Sequence, residues 1–261
     1  MDSLKPKKHL GQHFLADENT ARKIVELLDA PADATIVEIG PGMGVLTKYL
    51  VERFSRVIAV EFDPDAVAYL KNAFADTCLE VQHADFLNWP IKEVLDQPAF
   101  FIGNLPYNVS SQIFFRLLEH RDQIQQGVFM VQKEVADRVC APETAPARQK
   151  GILSVLVNRY FKTKVSMKVR PTVFRPPPKV MSAVFTMDRL SDPSEPEFSA
   201  LKKVVKAAFG KRRKTLRNSL RELDLDWSQF PEEWPGLRAE ALPFHAFDAL
   251  SQALKDEDNV S

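Results

Sequence analysis

Thr35-Ile-Val-Glu-Ile-Gly-Pro-Gly-Met-Gly44 decides the fold of this chain. Thr35 to Ile39 reads as a buried strand, because β-branched side chains pack well on a pleated surface. The strand breaks into glycines at 40, 42 and 44, and the helical pattern Val45-Leu-Thr-Lys-Tyr-Leu-Val51 follows. A strand, a glycine turn and a helix in that order make the opening unit of a nucleotide-binding α/β sheet. Glycines there let the backbone approach a nucleotide or amino-acid group closely, and the helix amino terminus favours negative charge. The spacing is G-x-G-x-G, so the dinucleotide fingerprint G-x-G-x-x-G is not met and a nicotinamide reading weakens.

Working outward, a second apolar strand, Val57-Ile-Ala-Val60, ends in Glu61, where a carboxylate can accept both ribose hydroxyls of an adenosine ligand. A third, Leu79 to His83, ends near Asp85, whose carboxylate can accept an adenine amino group, and Phe62 and Phe86 beside the two acids can wall that ring. A fourth run, Ala99-Phe-Phe-Ile-Gly103, leads directly into Asn104-Leu-Pro-Tyr107. The carboxyl ends of such strands are where open α/β sheets bind ligands. The tetrapeptide offers an Asn carbonyl, main-chain carbonyls tied down by Pro106, and an aromatic face. An adenine exocyclic amine attacks poorly while its lone pair is delocalised, so it needs prepositioned acceptors for its two hydrogens, an oxyanion hole with reversed polarity. Tyr107 can stack an extruded base, a contact typically worth about 1–3 kcal/mol. Asn and Pro are also ordinary turn formers, and a lone acid is ordinary at a strand end. Four strand ends in register, each with a suitable polar group, favour the ligand reading.

On these residues the chain resembles the class I methyltransferases that use S-adenosylmethionine, and more narrowly the rRNA adenine N6,N6-dimethyltransferases, whose bacterial member modifies two adjacent adenosines near the 3′ end of 16S rRNA. The family marks are Leu10-Gly-Gln-His-Phe-Leu15, Glu38-Ile-Gly-Pro-Gly42, Asn104-Leu-Pro-Tyr107, Gln132-Lys-Glu-Val135, Phe174-Arg-Pro-Pro-Pro-Lys-Val180 and Lys211-Arg-Arg-Lys-Thr-Leu-Arg-Asn-Ser-Leu220, the last two being the specific ones. The resemblance implies a Rossmann-like α/β sheet with helices on both faces, plus a small all-helical carboxyl-terminal domain. It implies that Gln12, Gly40, Gly42, Glu61 and Asp85 contact the cofactor, with His13 near its methionine end and Leu15, Phe62, Phe86 and Asn104 also around it. Asn104 and Leu105, followed by Pro106, would hold the target amine, and Tyr107 and Phe174 would sandwich the adenine. No metal is implied. The chain departs from the pattern at His13, where many bacterial members have Asn, and at Lys150-Gly151, near which the family usually carries Tyr-Gly. DNA adenine methyltransferases share the amine-holding motif but usually follow it with two prolines. The resistance relatives that dimethylate 23S rRNA share the catalytic motifs, and mitochondrial transcription factors use this fold as a nucleic-acid binding module.

Length and charge agree with this reading. A chain of 261 residues with 45% apolar content supports one large domain plus a small appendage. Its formal net charge of zero argues on its face against nucleic acid. The distribution argues otherwise: seven basic residues and no acid lie between Asn158 and Met187, a second acid-free basic block runs from Phe198 to Arg221, and Lys5, Lys7 and Lys8 cluster at the start. Polarised faces follow, on which phosphate contacts would position an RNA while the pocket selects the base. Cys78 and Cys140 read as reduced core thiols, and neither a signal peptide nor a membrane span is evident. The expectation is a soluble cytoplasmic monomer acting on 16S rRNA in the small subunit or its precursor.

The expected organisation is a catalytic domain over 1–190 with an arm over 1–15, the polar linker Ser191 to Glu197, and an RNA- or ribosome-contacting helical domain over 191–261. Within these, helices are expected over Asp17 to Leu28, Lys133 to Val139, from Phe198, over Thr215 to Leu223 and over His245 to Leu254. A fifth strand is expected over Val128 to Val131, and a final pair over Thr163 to Val169 and Met181 to Met187. The proline-rich loop Phe174 to Pro178 would aim Phe174 at Tyr107.

Overall fold

Alternating β-branched strands and amphipathic helices build one large sheet with its connecting helices. The computed structural model describes residues 13–254 apart from 193, 195 and 212. After β1 (Phe14–Leu15) and α1 (Glu18–Glu26) come β2 (Thr35–Ile39), α2 (Thr47–Arg53), β3 (Arg56–Glu61), α3 (Pro64–Ala73), β4 (Leu79–His83), α4 (Ile91–Val94), β5 (Ala99–Asn104), α5 (Ser110–Glu119) and β6 (Ile124–Gln132). The chain continues through α6 (Lys133–Val139), α7 (Ile152–Tyr160), β7 (Phe161–Val169), β8 (Phe174–Arg175), β9 (Ser182–Arg189), α8 (Phe198–Gly210), α9 (Leu216–Ser219) and α10 (Phe244–Gln252). Asp17 starts α1 by accepting a hydrogen bond from the Thr20 amide at 2.7 Å, and Asp63 caps α3 ahead of a proline in its first turn.

The large sheet has the order β4-β3-β2-β5-β6-β9-β7. Strands β2 to β6 pair in parallel and β9 runs antiparallel to β6. The chain builds outward from β2 through β3 to β4, then returns to place β5 on the other side of β2. That reversal opens a crevice at the carboxyl ends of β2 and β5, the usual ligand position in such sheets. One cluster of the core joins Ile36, Val57, Ile102, Val128 and Val184 of the sheet to Ile24 and Val25 of α1 and Leu50 of α2.

The fifth strand of the sequence reading is longer than Val128 to Val131. Gln126 sits inside it because both ends of its amide are engaged, donating to Asp188 at 2.7 Å and accepting from the Asp29 amide at 2.8 Å. The expected helix from Thr215 to Leu223 is instead α9 and a single 3-10 turn at Arg221–Leu223, ended by Asp224 in the left-handed region at φ 44°. Cys78 and Cys140 are thiols outside any disulfide and only half-buried, and the Cys78 thiol donates to the Phe54 carbonyl. No helix among the described residues is long and apolar enough to cross a membrane.

Contacts divide the chain into two compact units, one running up to Ala136 and including Lys162–Arg189, the other combining Asp137–Phe161 with the chain from Leu190 onward. The second unit packs α7, α8 and α10 together. Its interior includes Leu156, Val157, Leu201, Val205, Phe247 and Leu250, with the Phe209 and Phe247 rings stacked at 5.9 Å. Arg159 is held there by Asp192 and Asp248, and is thereby withdrawn from the basic block that the sequence suggested for RNA.

Candidate active site

A cavity of about 270 Å³ opens at the crevice between β2 and β5. Its walls come from the ends of β2, β3 and β5, the segment after β4 and the start of α5, with the arm residues His13, Phe14 and Leu15 on one side. Gly103 lets the strands close up behind it, since a Cβ there would lie 2.6 Å from the Ile39 carbonyl oxygen. Asn104 is thereby held hard against the end of β2.

The Asn104 side chain has a fixed orientation. Its Nδ2 donates to the His13 carbonyl at 2.9 Å, which leaves Oδ1 as the amide's acceptor. The Leu105 amide is engaged by the Met130 carbonyl at 3.0 Å, and no described donor claims the Leu105 carbonyl. Tyr107 stands beside them with its hydroxyl 2.6 Å from Ser182 Oγ. Burial pushes the Tyr107 phenol above its ordinary pKa, with the Ser182 hydrogen bond working in the opposite direction. The phenol therefore stays neutral at physiological pH. The His13 ring leans on Tyr107 at a centroid distance of 5.3 Å and 31° between planes, and its Nδ1 is 2.8 Å from the Pro176 carbonyl oxygen. One arm residue thus braces the acceptor amide through its backbone and the aromatic platform through its ring.

Across the cavity the turn carries Gly40 and Gly42 at φ of 65° and 56°. A Cβ at Gly40 would meet nothing within 4 Å, so open space faces the backbone, whereas one at Gly42 would lie 2.8 Å from Phe14 Cε1. Glu61 accepts from the Gly42 amide at 3.0 Å with Oε2 and from the Asp63 amide at 2.8 Å with Oε1. A carboxylate has about four acceptor sites, so these amides leave it capacity for a hydroxyl donor from the cavity. Burial raises the Glu61 pKa, with the Asp63, Gly42 and Phe62 amides pulling it down. Asp85 accepts from the Leu87 amide at 3.0 Å and lines the cavity with Phe62 and Phe86. Phe62 is 59% exposed, while Phe86 is buried and stacks on Trp89 at 6.0 Å. A carboxylate for a hydroxyl donor, a carboxylate for an amino group, an aromatic wall and an open glycine turn form a donor and acceptor set that fits an adenosine-containing cofactor.

All the candidate residues from the sequence therefore meet in one cavity except Gln12 and Phe174. Gln12 lies outside the described residues, as do Lys5, Lys7, Lys8 and Arg212. Phe174 is a correction. Its ring is fully buried in the core cluster with Leu15, Ile24 and Val184 and does not line the cavity. The cause is the two-stranded pairing of β1 with β8, which sets Leu15 opposite Phe174 and turns the ring inward. His13, not Phe174, is the ring that faces Tyr107.

Two residues that the sequence reading passed over belong to the site. Glu38 lines the cavity at 1% exposure and accepts from Thr47 Oγ1 at 2.6 Å. Burial drives its pKa up to about 8, the Thr47 hydrogen bond opposing and the nearby Glu61 charge adding to the rise. A carboxylate in the middle of a buried strand was the available signal. Ser182 carried no local signal. Lys150, the second departure, is buried in the other unit with its ammonium 5.8 Å from the Phe244 ring centroid, a cation–π contact in place of an exposed charge.

The family model for ribosomal RNA adenine dimethylase matches residues 3–228. Among curated relatives, Ribosomal RNA small subunit methyltransferase A of Flavobacterium johnsoniae is 44% identical over 98% of both chains. The protein of the same name from Porphyromonas gingivalis is 43% identical over 98% of this chain and 100% of its own. Among solved structures, a dimethyladenosine transferase from Plasmodium falciparum superposes with a TM-score of 0.76 at 24% identity, covering 91% of this chain and 96% of that one, a likeness of fold. The 23S rRNA methyltransferase ErmE superposes with a TM-score of 0.68 at 26% identity, covering 92% and 99%. The fold is that of the class I methyltransferases, and the chain belongs to the ribosomal RNA adenine dimethylase family.

Proposed function

We propose that this chain transfers methyl groups from S-adenosylmethionine to N6 of two adjacent adenosines near the 3′ end of 16S rRNA, giving N6,N6-dimethyladenosine in the small ribosomal subunit or its precursor. The observation that carries the reading is one cavity in which an oriented Asn104 acceptor and the Tyr107 face stand opposite Glu61 and an open glycine turn. Family membership and the small-subunit names of relatives at 43–44% identity support it.

Glu61, Asp85 and the backbone of Gly40 and Gly42 would hold the cofactor, which when bound supplies an electrophilic sulfonium methyl. Asn104 Oδ1 and the Leu105 carbonyl would accept the two amine hydrogens, drawing N6 towards a tetrahedral shape with its lone pair aimed at the methyl. Tyr107 would fix the plane of the base. Such orientation is worth up to roughly 7–11 kcal/mol of barrier in well-placed intramolecular reactions. No strong base is required, because the amine nitrogen becomes acidic once it carries the incoming methyl. The basic segments would position the RNA through phosphates, the second unit contributing contacts to the ribosome, with the protein acting as a cytoplasmic monomer.

The test is incubation with methyl-labelled S-adenosylmethionine and unmethylated small subunits, beside large subunits and duplex DNA, with mass spectrometry of the nucleosides. Dimethyladenosine from small subunits alone is the expected result. Label in large-subunit RNA would transfer the chain to the 23S-modifying branch, and RNA binding without label would make it a binding module.

A further inference from the structure

Strand β7 is the edge of the large sheet, and its two faces differ completely. Successive side chains of a strand alternate between faces. Phe161, Thr163, Val165, Met167 and Val169 point one way, with Val169 in the core cluster and Met167 packed against it. Lys162, Lys164, Ser166, Lys168 and, just beyond the strand, Arg170 occupy the other positions, and all four cations are exposed. None of the four has an ion-pair partner among the described residues, and the sequence from Asn158 to Met187 contains no acid. Alternate residues of a strand stand roughly 6.6 Å apart, so the stripe presents a row of four positive charges with one gap, at the neutral Ser166.

The row also has a direction. The Leu190 amide donates to the Tyr160 carbonyl at 2.9 Å, which puts the end of β9 beside the start of β7 and makes the two strands antiparallel. Lys168 and Arg170 therefore lie towards the end of the sheet where Ser182 opens β9 and bonds Tyr107. The stripe begins at the far end of the edge and finishes on the side of the cavity. Edge lysines can serve only to keep a strand from pairing with another chain. Four cations on one face, with only the neutral Ser166 among them and no acid from Asn158 to Met187, go beyond that need and match a polyphosphate backbone in charge.

Resting on the RNA-methylating reading above, we propose that the outer face of β7, through Lys162, Lys164 and Lys168, is a phosphate track that holds the RNA strand flanking the target adenosine. The contact is to backbone, so it sets affinity and register without reading sequence.

The test is equilibrium binding of the full chain and of its K162Q/K164Q/K168Q variant to unmethylated small subunits across roughly 50–200 mM salt. Each lost phosphate contact should flatten the plot of log affinity against log salt by about 0.7–0.9, so the triple variant is expected to lose about 2–3 from the slope. Melting temperature and S-adenosylmethionine affinity should not change. Lys164→Gln alone, expected to remove about one, guards against a folding defect in the triple variant. An unchanged slope overturns the proposal, and self-association of such a variant would assign the lysines to keeping the edge unpaired. If the unaltered chain itself neither labels nor binds small subunits, it is the proposed function that fails.

Discussion

Replacing Glu38 by Gln should change how stability depends on pH in a direction fixed by the geometry. The carboxyl is buried in β2 with Thr47 as its hydrogen-bond partner, and its pKa rises from an ordinary 4.5 to about 8. A group whose folded pKa is raised contributes stability that is fully present below the unfolded value and is lost as pH rises towards the folded one. The unfolded chain gains by ionising from about 4.5 upward while the folded chain keeps its proton. The accumulated loss is about 3 kcal/mol by pH 7 and, as an upper bound, about 5 kcal/mol above pH 8. Gln is nearly isosteric and neutral, so the variant escapes that loss. Its second amide hydrogen adds a fixed cost of about 1–3 kcal/mol if unpaired, which does not vary with pH. Urea denaturation of both proteins at about pH 5, 6, 7 and 8.5 isolates the difference, in which titrating groups remote from Glu38 cancel and only the neighbouring Glu61 stays coupled to it. Stability of the variant relative to the original should climb steadily over that range. A flat difference would refute the assignment of a buried, protonated Glu38.

Three further outcomes follow from the same cavity. Asn104→Ala should leave S-adenosylmethionine binding by calorimetry near its original strength and lower methyl transfer at saturating substrates by about 10²–10³-fold, as for loss of a polar group aimed at a transition state. Gly42→Ala forces a side chain onto φ of 56° and to 2.8 Å from Phe14, so the melting transition should register a loss of about 1–3 kcal/mol, with weakened cofactor binding as the arm is displaced. Ser182→Ala removes the partner that lowers the Tyr107 pKa, so ultraviolet titration should show the phenol ionising at still higher pH, and KM for the RNA substrate should rise more than kcat falls.

The parts of the site that sequence made legible are those written locally. A β-branched run breaking into glycines needs no distant partner to be recognised, and Asn104 to Tyr107 announces its position by following an apolar strand directly. Glu38 is equally local, since a charge in the middle of a β-branched strand is itself a signal, but it stands inside a family motif whose glycines carry the stronger one. The residues that escaped or misled depend on pairings across the chain. Phe174 turns inward because Leu15 pairs with it, and Phe14 with the neighbouring Arg175, from about 160 positions away, and no turn chemistry in its own loop encodes that. His13 reaches Tyr107, Asn104 and Pro176 through the same long-range closure. Ser182 matters only because antiparallel pairing with Gln132 brings the start of β9 to the active end of the sheet.

The second unit is discontinuous in sequence, and its two pieces are separated by Lys162–Arg189, which belong to the sheet. A nascent chain therefore releases α7 with Leu153, Leu156 and Val157 bare long before α8 and α10 exist to cover them. The intervening strands have to fold back before that closure becomes short enough to be probable, since loop entropy precedes the contacts that repay it. A scission after Arg189 would accordingly free no intact helical module: one fragment would keep an uncovered apolar helix and the other would lack a third of its packing partners among α7, α8 and α10. Exchange of this unit between relatives would have to occur at three breakpoints at once, after Ala136, Phe161 and Arg189, which ties its history to that of the sheet it interrupts.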